Sequence, residues 1–306
     1  MKLEKIQKYV PVIGFVVVVL LFTILTGGKI LAVKNIKMIA EQSILLVVGG
    51  IGVIFVMSTG GVDFSQGSIM GITCVVGTLV AYTSIPLALL CMLLVGGCIG
   101  FCNGLLTAKG KVQSFVVTIC MMYIFRGVTA YVTRKKALEV PAGIYLLDNL
   151  TFKIAAVLVL LAAGYFVFAF TRFGREVRAV GAGEVGAKYA GIDVTKVKII
   201  AFTAAGCMAS MAAFMNMIRV GTASANTGSL FETNLLIALV LGGMPITGGA
   251  KSRYISIVIG GVLLAFLANG LAMLGVDLTI QQFIRGAVFL GTVMITVERG
   301  TVTAIK

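Results

Sequence analysis

Gly60-Gly61-Val62-Asp63-Phe64-Ser65-Gln66-Gly67-Ser68 stands between two apolar runs, 43–60 and 68–83, each close to the length of a bilayer crossing. So short a polar turn between two such runs reads as the junction of two packed helices. Paired glycines permit φ > 0 and close backbone approach, and Asp63 and Ser65 are residue types that cap a following helix. Two readings fit Gly60, Gly61, Asp63, Ser65, Gly67 and Ser68: a specific packing junction in a translocation core, or a plain helix–turn–helix cap.

Outward from this turn the pattern repeats. Apolar runs at roughly 10–26, 43–60, 68–83, 85–106, 113–132, 153–171, 197–219, 231–247, 253–275 and 280–298 give about ten transmembrane helices. Only 12% of the 306 residues are charged and 59% are hydrophobic. Soluble domains carry about 25% charged residues, so the class is an all-α polytopic membrane protein. Its 38 glycines suit helices that approach closely in lipid. Met1–Pro11 and the run behind it imitate a signal peptide, but no small-residue cleavage site follows, so a retained first helix is expected. The longest polar interruptions are 133–152 and 172–196, which leaves 1–306 as a single transmembrane domain.

Ten spans put both termini on one side. With the N-terminus inside, the inner segments hold fifteen basic residues: Lys2, Lys5, Lys8, Lys109, Lys111, Arg172, Arg175, Arg178, Lys188, Lys196, Lys198, Lys251, Arg253, Arg299 and Lys306. The outer segments hold seven: Lys29, Lys34, Lys37, Arg134, Lys135, Lys136 and Lys153. The excess predicts N-in, C-in. It also explains the net charge of +14 as a topology signal, with no nucleic-acid partner expected. Arg126, Arg219 and Arg285 fall within or at the ends of spans, where snorkelling or bonds to backbone carbonyls are expected.

Chemistry-bearing constellations are scarce. The six cysteines all lie in apolar runs, and the chain has no histidine. Cys98 and Cys102 share a helix face, which reads as packing, with no metal site expected. No G-x-x-x-x-G-K-[ST] phosphate loop is present: Gly110-Lys111 is followed by Val112, and Leu105 stands where the first glycine belongs. The chain is therefore not expected to be an enzyme, and any ATP and magnesium would sit on another subunit.

Three further stretches carry information. Residues 172–192 form a long inner loop with a short helix expected from about Glu184 to Ala190, ended by Gly191. It is either a docking helix for a cytoplasmic partner or a basic loop that obeys the charge rule. Leu241-Gly242-Gly243-Met244-Pro245-Ile246-Thr247-Gly248-Gly249 cannot continue a helix and must be buried in protein or line a cavity. Gly96-Gly97, Asn103-Gly104-Leu105, Gln113 and Arg126-Gly127 have counterparts in Gly260-Gly261, Asn269-Gly270-Leu271, Gln282 and Arg285-Gly286. The two sets would run in opposite directions, as in an inverted repeat, although their spacings differ and chance similarity is the alternative. Gly96, Gly100 and Gly104 form a small-residue stripe for helix contact.

In order along the chain these motifs resemble the permease subunits of ribose-type carbohydrate ABC importers. Gly60–Ser68 is similar to that family's GGIDLSVGS-like turn. Asn103-Gly104, Phe115-Val116-Val117-Thr118 and Arg126-Gly127 answer its next stretch, and Gly242-Gly243, Gly248-Gly249, Asn269-Gly270-Leu271 and Arg285-Gly286 its last. Thr171, Gly174, Arg175, Ala179, Gly181, Ala187, Gly191 and Ile192 match its inner loop. The matches run from about 43 to 295; Gly183 ahead of Glu184, and Gln66, depart from the usual pattern.

The resemblance implies a permease in the bacterial cytoplasmic membrane that imports a monosaccharide. Its partners would be a second permease copy or paralogue, a cytoplasmic ATP-binding subunit and an external solute-binding protein. The loop 172–196 would couple to the ATPase through Gly174, Arg175, Arg178, Gly181, Glu184, Ala187 and Gly191. Asn103, Asn269, Gln281 and Gln282 are the candidate path residues, each with an interhelical hydrogen bond as its alternative role. A signalling sugar or nucleoside-like solute fits the same class. An ion-coupled secondary transporter is the rival from another class; it would need intramembrane acids, whereas Asp63, Glu232 and Asp277 are expected at span ends.

Overall fold

The computed structural model describes residues 2–296, with side chains over 11–294. Of the basic residues weighed for topology, the side chains of Lys2, Lys5 and Lys8, and Arg299 and Lys306 altogether, lie outside the described residues. Twelve α-helices are described: α1 Lys2–Leu25, α2 Val33–Ser58, α3 Gln66–Ala81, α4 Ile85–Ala108, α5 Ser114–Val132, α6 Leu150–Phe170, α7 Arg172–Ala182, α8 Glu184–Tyr189, α9 Val194–Val220, α10 Phe231–Leu241, α11 Ser256–Met273 and α12 Leu278–Thr296. Six of them, α2, α4, α5, α6, α9 and α11, are long and apolar enough to cross a membrane. Apolar helices of 10–17 residues are found at Pro11–Leu25, Gln66–Ala81, Phe231–Leu241 and Leu278–Met294.

The ten apolar runs fall on ten of these helices; α1 starts at Lys2, eight residues ahead of its run, and two further boundaries shift. Helix α2 begins at Val33, ten residues ahead of the expected 43. Lys34, Lys37 and Glu41 are good helix formers, and their polarity hid the helical start. Helix α10 stops at Leu241, not 247, because Gly243 takes φ 91° and turns the chain. The fold is not purely helical: strand β1, Leu138–Glu139, pairs antiparallel with β2, Thr222–Ala223.

Helices α2 and α9 pack on each other and each packs on several further helices. Helix α4 lies along α9 and α11 along α2, while the short helices α3 and α10 pack beside α4 and α11. The stripe Gly96, Gly100 and Gly104 is the α4 side of its seam with α9. A Cβ on Gly96 would strike Ser210 Oγ, and one on Gly100 would strike the Phe202 carbonyl. Reciprocally, a Cβ on Gly206 would strike the Gly96 carbonyl. The backbones are in direct contact, as small-residue packing in lipid requires.

Loops sort to two ends. At one end Gly181 of α7 lies against the Ser58 carbonyl and the Gly249 backbone, and 59–62, 111–115 and 184–198 surround one cavity. At the other, the β1–β2 ribbon is joined by Tyr82, whose hydroxyl donates to the Glu139 carbonyl (3.1 Å), and by Val140 N–H to the Gly221 carbonyl (3.0 Å). Near this ribbon end the Lys153 side chain, only 2% exposed, pairs with Glu41 (3.2 Å) and Asp148. Sequence placed Lys153 in an outer loop as a topology charge; it belongs to the first turn of α6.

Candidate coupling face and buried polar junction

After the turn at Thr59–Gly60, residues 61–65 run without helix or strand along the start of α5. Val62 N–H donates to Ser114 Oγ and Phe64 N–H to Thr118 Oγ1, both 3.1 Å. Phe64 meets the Phe115 ring edge-on. This satisfies backbone donors that a membrane-depth turn would otherwise orphan.

Asp63 organises the turn. Its Oδ1 accepts from Ser65 N–H (2.8 Å) and Ser65 Oγ (2.6 Å), and its Oδ2 from Gln66 Nε2 (2.7 Å). Ser65 therefore does not cap α3 with its side chain; its hydroxyl is turned to the stronger, ionisable acceptor two residues back. Asn103 Nδ2 completes the network by donating to Ser65 Oγ (2.8 Å) from α4, and Ser68 Oγ returns to the Ser65 carbonyl (2.8 Å). Gly60, at φ 81°, makes the turn out of α2. Asp63→Ala removes the acceptor for three donors, so the protein is expected to lose about 2 kcal/mol or more of stability, measured as a lowered melting midpoint.

Gly67 opens a second contact. A Cβ there would strike the Gly228 carbonyl and Glu232 Oε2, and one on Gly228 would strike the Gly67 carbonyl. Glu232 lies in the first turn of α10, at the helix end expected of it, but is buried there at 5% exposure. Arg126 Nη2 pairs with its Oε1 at 2.8 Å and reaches the Gly228 carbonyl at 3.3 Å. The carbonyl bond was expected of Arg126; the ion pair was not, since no local spacing links positions so far apart. Arg285 bonds side chains, Gln281 Oε1 (3.1 Å) and Asn234 Oδ1 (3.5 Å).

The loop expected on the inner side is two helices, α7 and α8. Thr171 Oγ1 accepts from Gly174 N–H (3.3 Å) and starts α7. Gly174 is pressed on the Phe168 carbonyl, and Gly181 on Ser58, as any Cβ would clash there. Arg178 Nε donates to the Gly174 carbonyl (3.1 Å), with its guanidinium 5.1 Å from the Phe168 ring centroid. Arg175 is exposed and reaches only the Phe170 carbonyl (3.4 Å). Helix α8 then presents Val185 (69% exposed) and Tyr189 (90%) while Ala187 faces inward. Glu184 pairs with Lys198 of α9, and Gly191 at φ 79° ends the element. Asp193 caps α9; the Lys196 N–H it accepts (3.1 Å) holds its carboxyl below the usual carboxylate range. A cavity of about 660 Å³ separates α8 from the 59–62 turn, lined in part by Lys111, Gln113, Glu184, Lys188 and Lys198.

The four path candidates divide. Asn103 is fully buried and its Nδ2 is held by Ser65. Asn269 is 3% exposed, and its Oδ1 has no partner among the described residues. Gln281 donates to the Val276 carbonyl (2.9 Å) and accepts from Arg285, whereas Gln282 is exposed on α12. Among the described residues no group of three metal-ligating side chains occurs.

The profile of the family described as "Branched-chain amino acid transport system / permease component" matches residues 35–293. The chain belongs to this permease family. Its relatives include the ribose import permease protein RbsC of Escherichia coli K12, 30% identical over 285 residues that cover 86% of this permease and 85% of the relative. RbsC of Bacillus subtilis is 31% identical over 302 residues, covering 94% and 92%. The autoinducer 2 import system permease protein LsrC of E. coli O9:H4 is 31% identical over 302 residues, covering 95% and 88%. No solved structure matches. The permease is thus a multi-pass inner-membrane protein of a transport family whose permease subunits are not themselves enzymes.

Proposed function

We propose that this permease is one half of the channel of an ATP-driven importer for a monosaccharide, working beside a second permease copy or paralogue, a cytoplasmic ATPase and an external solute-binding protein. The carrying observation is α8, which projects Val185 and Tyr189 away from the bundle at the end where the 59–62 turn lies across a shared cavity. An exposed aromatic on a short helix is what a partner's groove receives. That the relatives are import permeases named for ribose and autoinducer 2 supports a sugar-like solute, a signalling sugar included.

In this reading residues 1–306 form one transmembrane domain of ten spans with both termini inside, and 172–196 is the coupling loop. Gly174 and Gly181 seat α7 against the bundle. Arg175 and Arg178 belong to α7, and Glu184, Ala187 and Gly191 set the face and the end of α8. The two groups α2–α5 and α9–α12 are the halves of an inverted repeat: Asn103 and Asn269 fall on the corresponding helices α4 and α11, and Arg126 and Arg285 on α5 and α12. Asn103, Asn269, Gln281 and Gln282 border the path, with Gln282 nearest the surface. ATP and magnesium belong to the partner subunit.

Removing the docking side chains, Val185→Ser with Tyr189→Ala, is expected to weaken ATPase association about tenfold or more with the permease still folded. Arg175→Glu with Glu184→Lys is expected to abolish solute-stimulated hydrolysis. If co-purification and stimulated hydrolysis both survive unchanged, the coupling assignment fails. The buried carboxylates of Asp63 and Glu232 favour one second reading, ion-coupled transport. Uptake that persists in vesicles after deletion of the ATPase would select it.

A further inference from the structure

Toward the ribbon end, among α2, α9, α10, α11 and α12, lies a cavity of about 330 Å³. Its polar lining includes Gln42, Asn216, Arg219, Asn226, Asn234 and Arg285, and no carboxylate lines it. The acids next in sequence to its lining residues Gln42 and Phe231 are committed elsewhere: Glu41 faces Lys153 and Glu232 faces Arg126. Arg219 has no hydrogen bond or ion pair among the described residues, and Arg285 Nε is a buried donor without a partner there; Gln42 Oε1, also unpartnered, is an acceptor that an anion does not satisfy. Asn216 is only 9% exposed.

Two guanidinium groups in one partly buried space repel each other, and orphaned donors there are costly. One occupant relieves both. We propose that this cavity binds an oxyanion, a phosphate or carboxylate group, taken by the forked N–H groups of Arg219 and Arg285. The carboxamides of Asn216, Asn226 and Asn234 donate to its remaining oxygens. A neutral monosaccharide would leave both positive charges uncompensated, so the site is distinct in chemistry from the solute path. The oxyanion comes either from a free anion on the ribbon side or from the headgroup of an anionic lipid.

The test uses the full-length permease in phosphatidylcholine nanodiscs. In one arm inorganic phosphate is titrated at constant ionic strength against chloride. In the other, phosphatidylglycerol replaces part of the lipid without added phosphate. The melting midpoint is expected to rise by several degrees in one arm: phosphate alone marks a free anion, phosphatidylglycerol a headgroup. Arg219→Gln with Arg285→Gln is expected to weaken that apparent affinity about tenfold or more while melting no lower than the wild type in anion-free discs. No shift in either arm, or the same shift in the double variant, overturns the proposal. Should the double variant not fold, Asn226→Ala, on the exposed loop, is read instead; weakened binding supports the site and unchanged binding overturns it.

Discussion

Gly206→Leu is expected to leave almost no folded permease. A Cβ at this position would strike the Gly96 carbonyl and lie 3.2 Å from the Gly100 Cα. Extra methylenes in a packed core cost about 1–3 kcal/mol when neighbouring side chains can yield. Here the neighbours are backbone atoms of α4, which cannot change rotamer. Leucine adds four carbons, so relief requires the whole of α4 to withdraw from α9. The milder Gly206→Ala is expected to cost about 3 kcal/mol, at the upper end of that range. Gly127 is the control, with nothing within 4 Å of its Cβ position; Gly127→Leu should keep wild-type yield. Size-exclusion profiles and melting midpoints in detergent decide the matter. A monodisperse Gly206→Leu protein with wild-type melting would show that the seam does not hold the bundle.

Arg126→Ala is expected to destabilise the permease by about 3 kcal/mol, because removing one partner of a buried pair strands the other. The Glu232 side chain is 7% exposed and that of Arg126 is 26%, so solvent screens the pair only in part. Its second oxygen, Oε2, already lacks a partner among the described residues and rests against Gly67. Adding Glu232→Gln to Arg126→Ala should recover most of the loss, since a neutral amide is far cheaper to leave buried than a carboxylate. The recovery is a coupling that independent sites would not show. Equal melting of wild type and Arg126→Ala, or a double variant worse than the single, would remove the pair from the list of contacts that hold α5 to α10.

How far the chain could be read without coordinates depended on range. Apolar runs and glycine punctuation are local, so the ten helices, the Gly96–Gly104 stripe and the short helix closed by Gly191 were all visible. So was the breaking power of Gly242-Gly243, although α10 ended earlier than hydropathy suggested because Met244, Pro245 and Ile246 are apolar without being helical. The pairings were not visible. Arg126 finds Glu232, Lys153 finds Glu41, and β1 finds β2 across stretches of chain that no periodicity spans. Ser65 misled for a local reason: as a residue type it suits a cap, but Asp63 stands close enough to take its hydroxyl. The candidate path residues were legible only as polar side chains in apolar runs, and packing alone could separate Asn103, buried with its Nδ2 on Ser65, from the exposed Gln282.

The α4–α9 seam also dictates an order of events during synthesis. Gly96 leaves the ribosome more than a hundred residues ahead of Gly206. At about 5–20 residues per second, the glycine face of α4 waits on the order of ten seconds for the helix that closes it, while α5 and α6 are threaded into the bilayer beside it. During that interval its glycine groove, shaped to take the α9 backbone, is filled only by lipid. The bundle is therefore not assembled hairpin by hairpin. Its first half stays provisional until α9 arrives, and a nascent chain stalled between the two helices is the form most open to quality-control proteases.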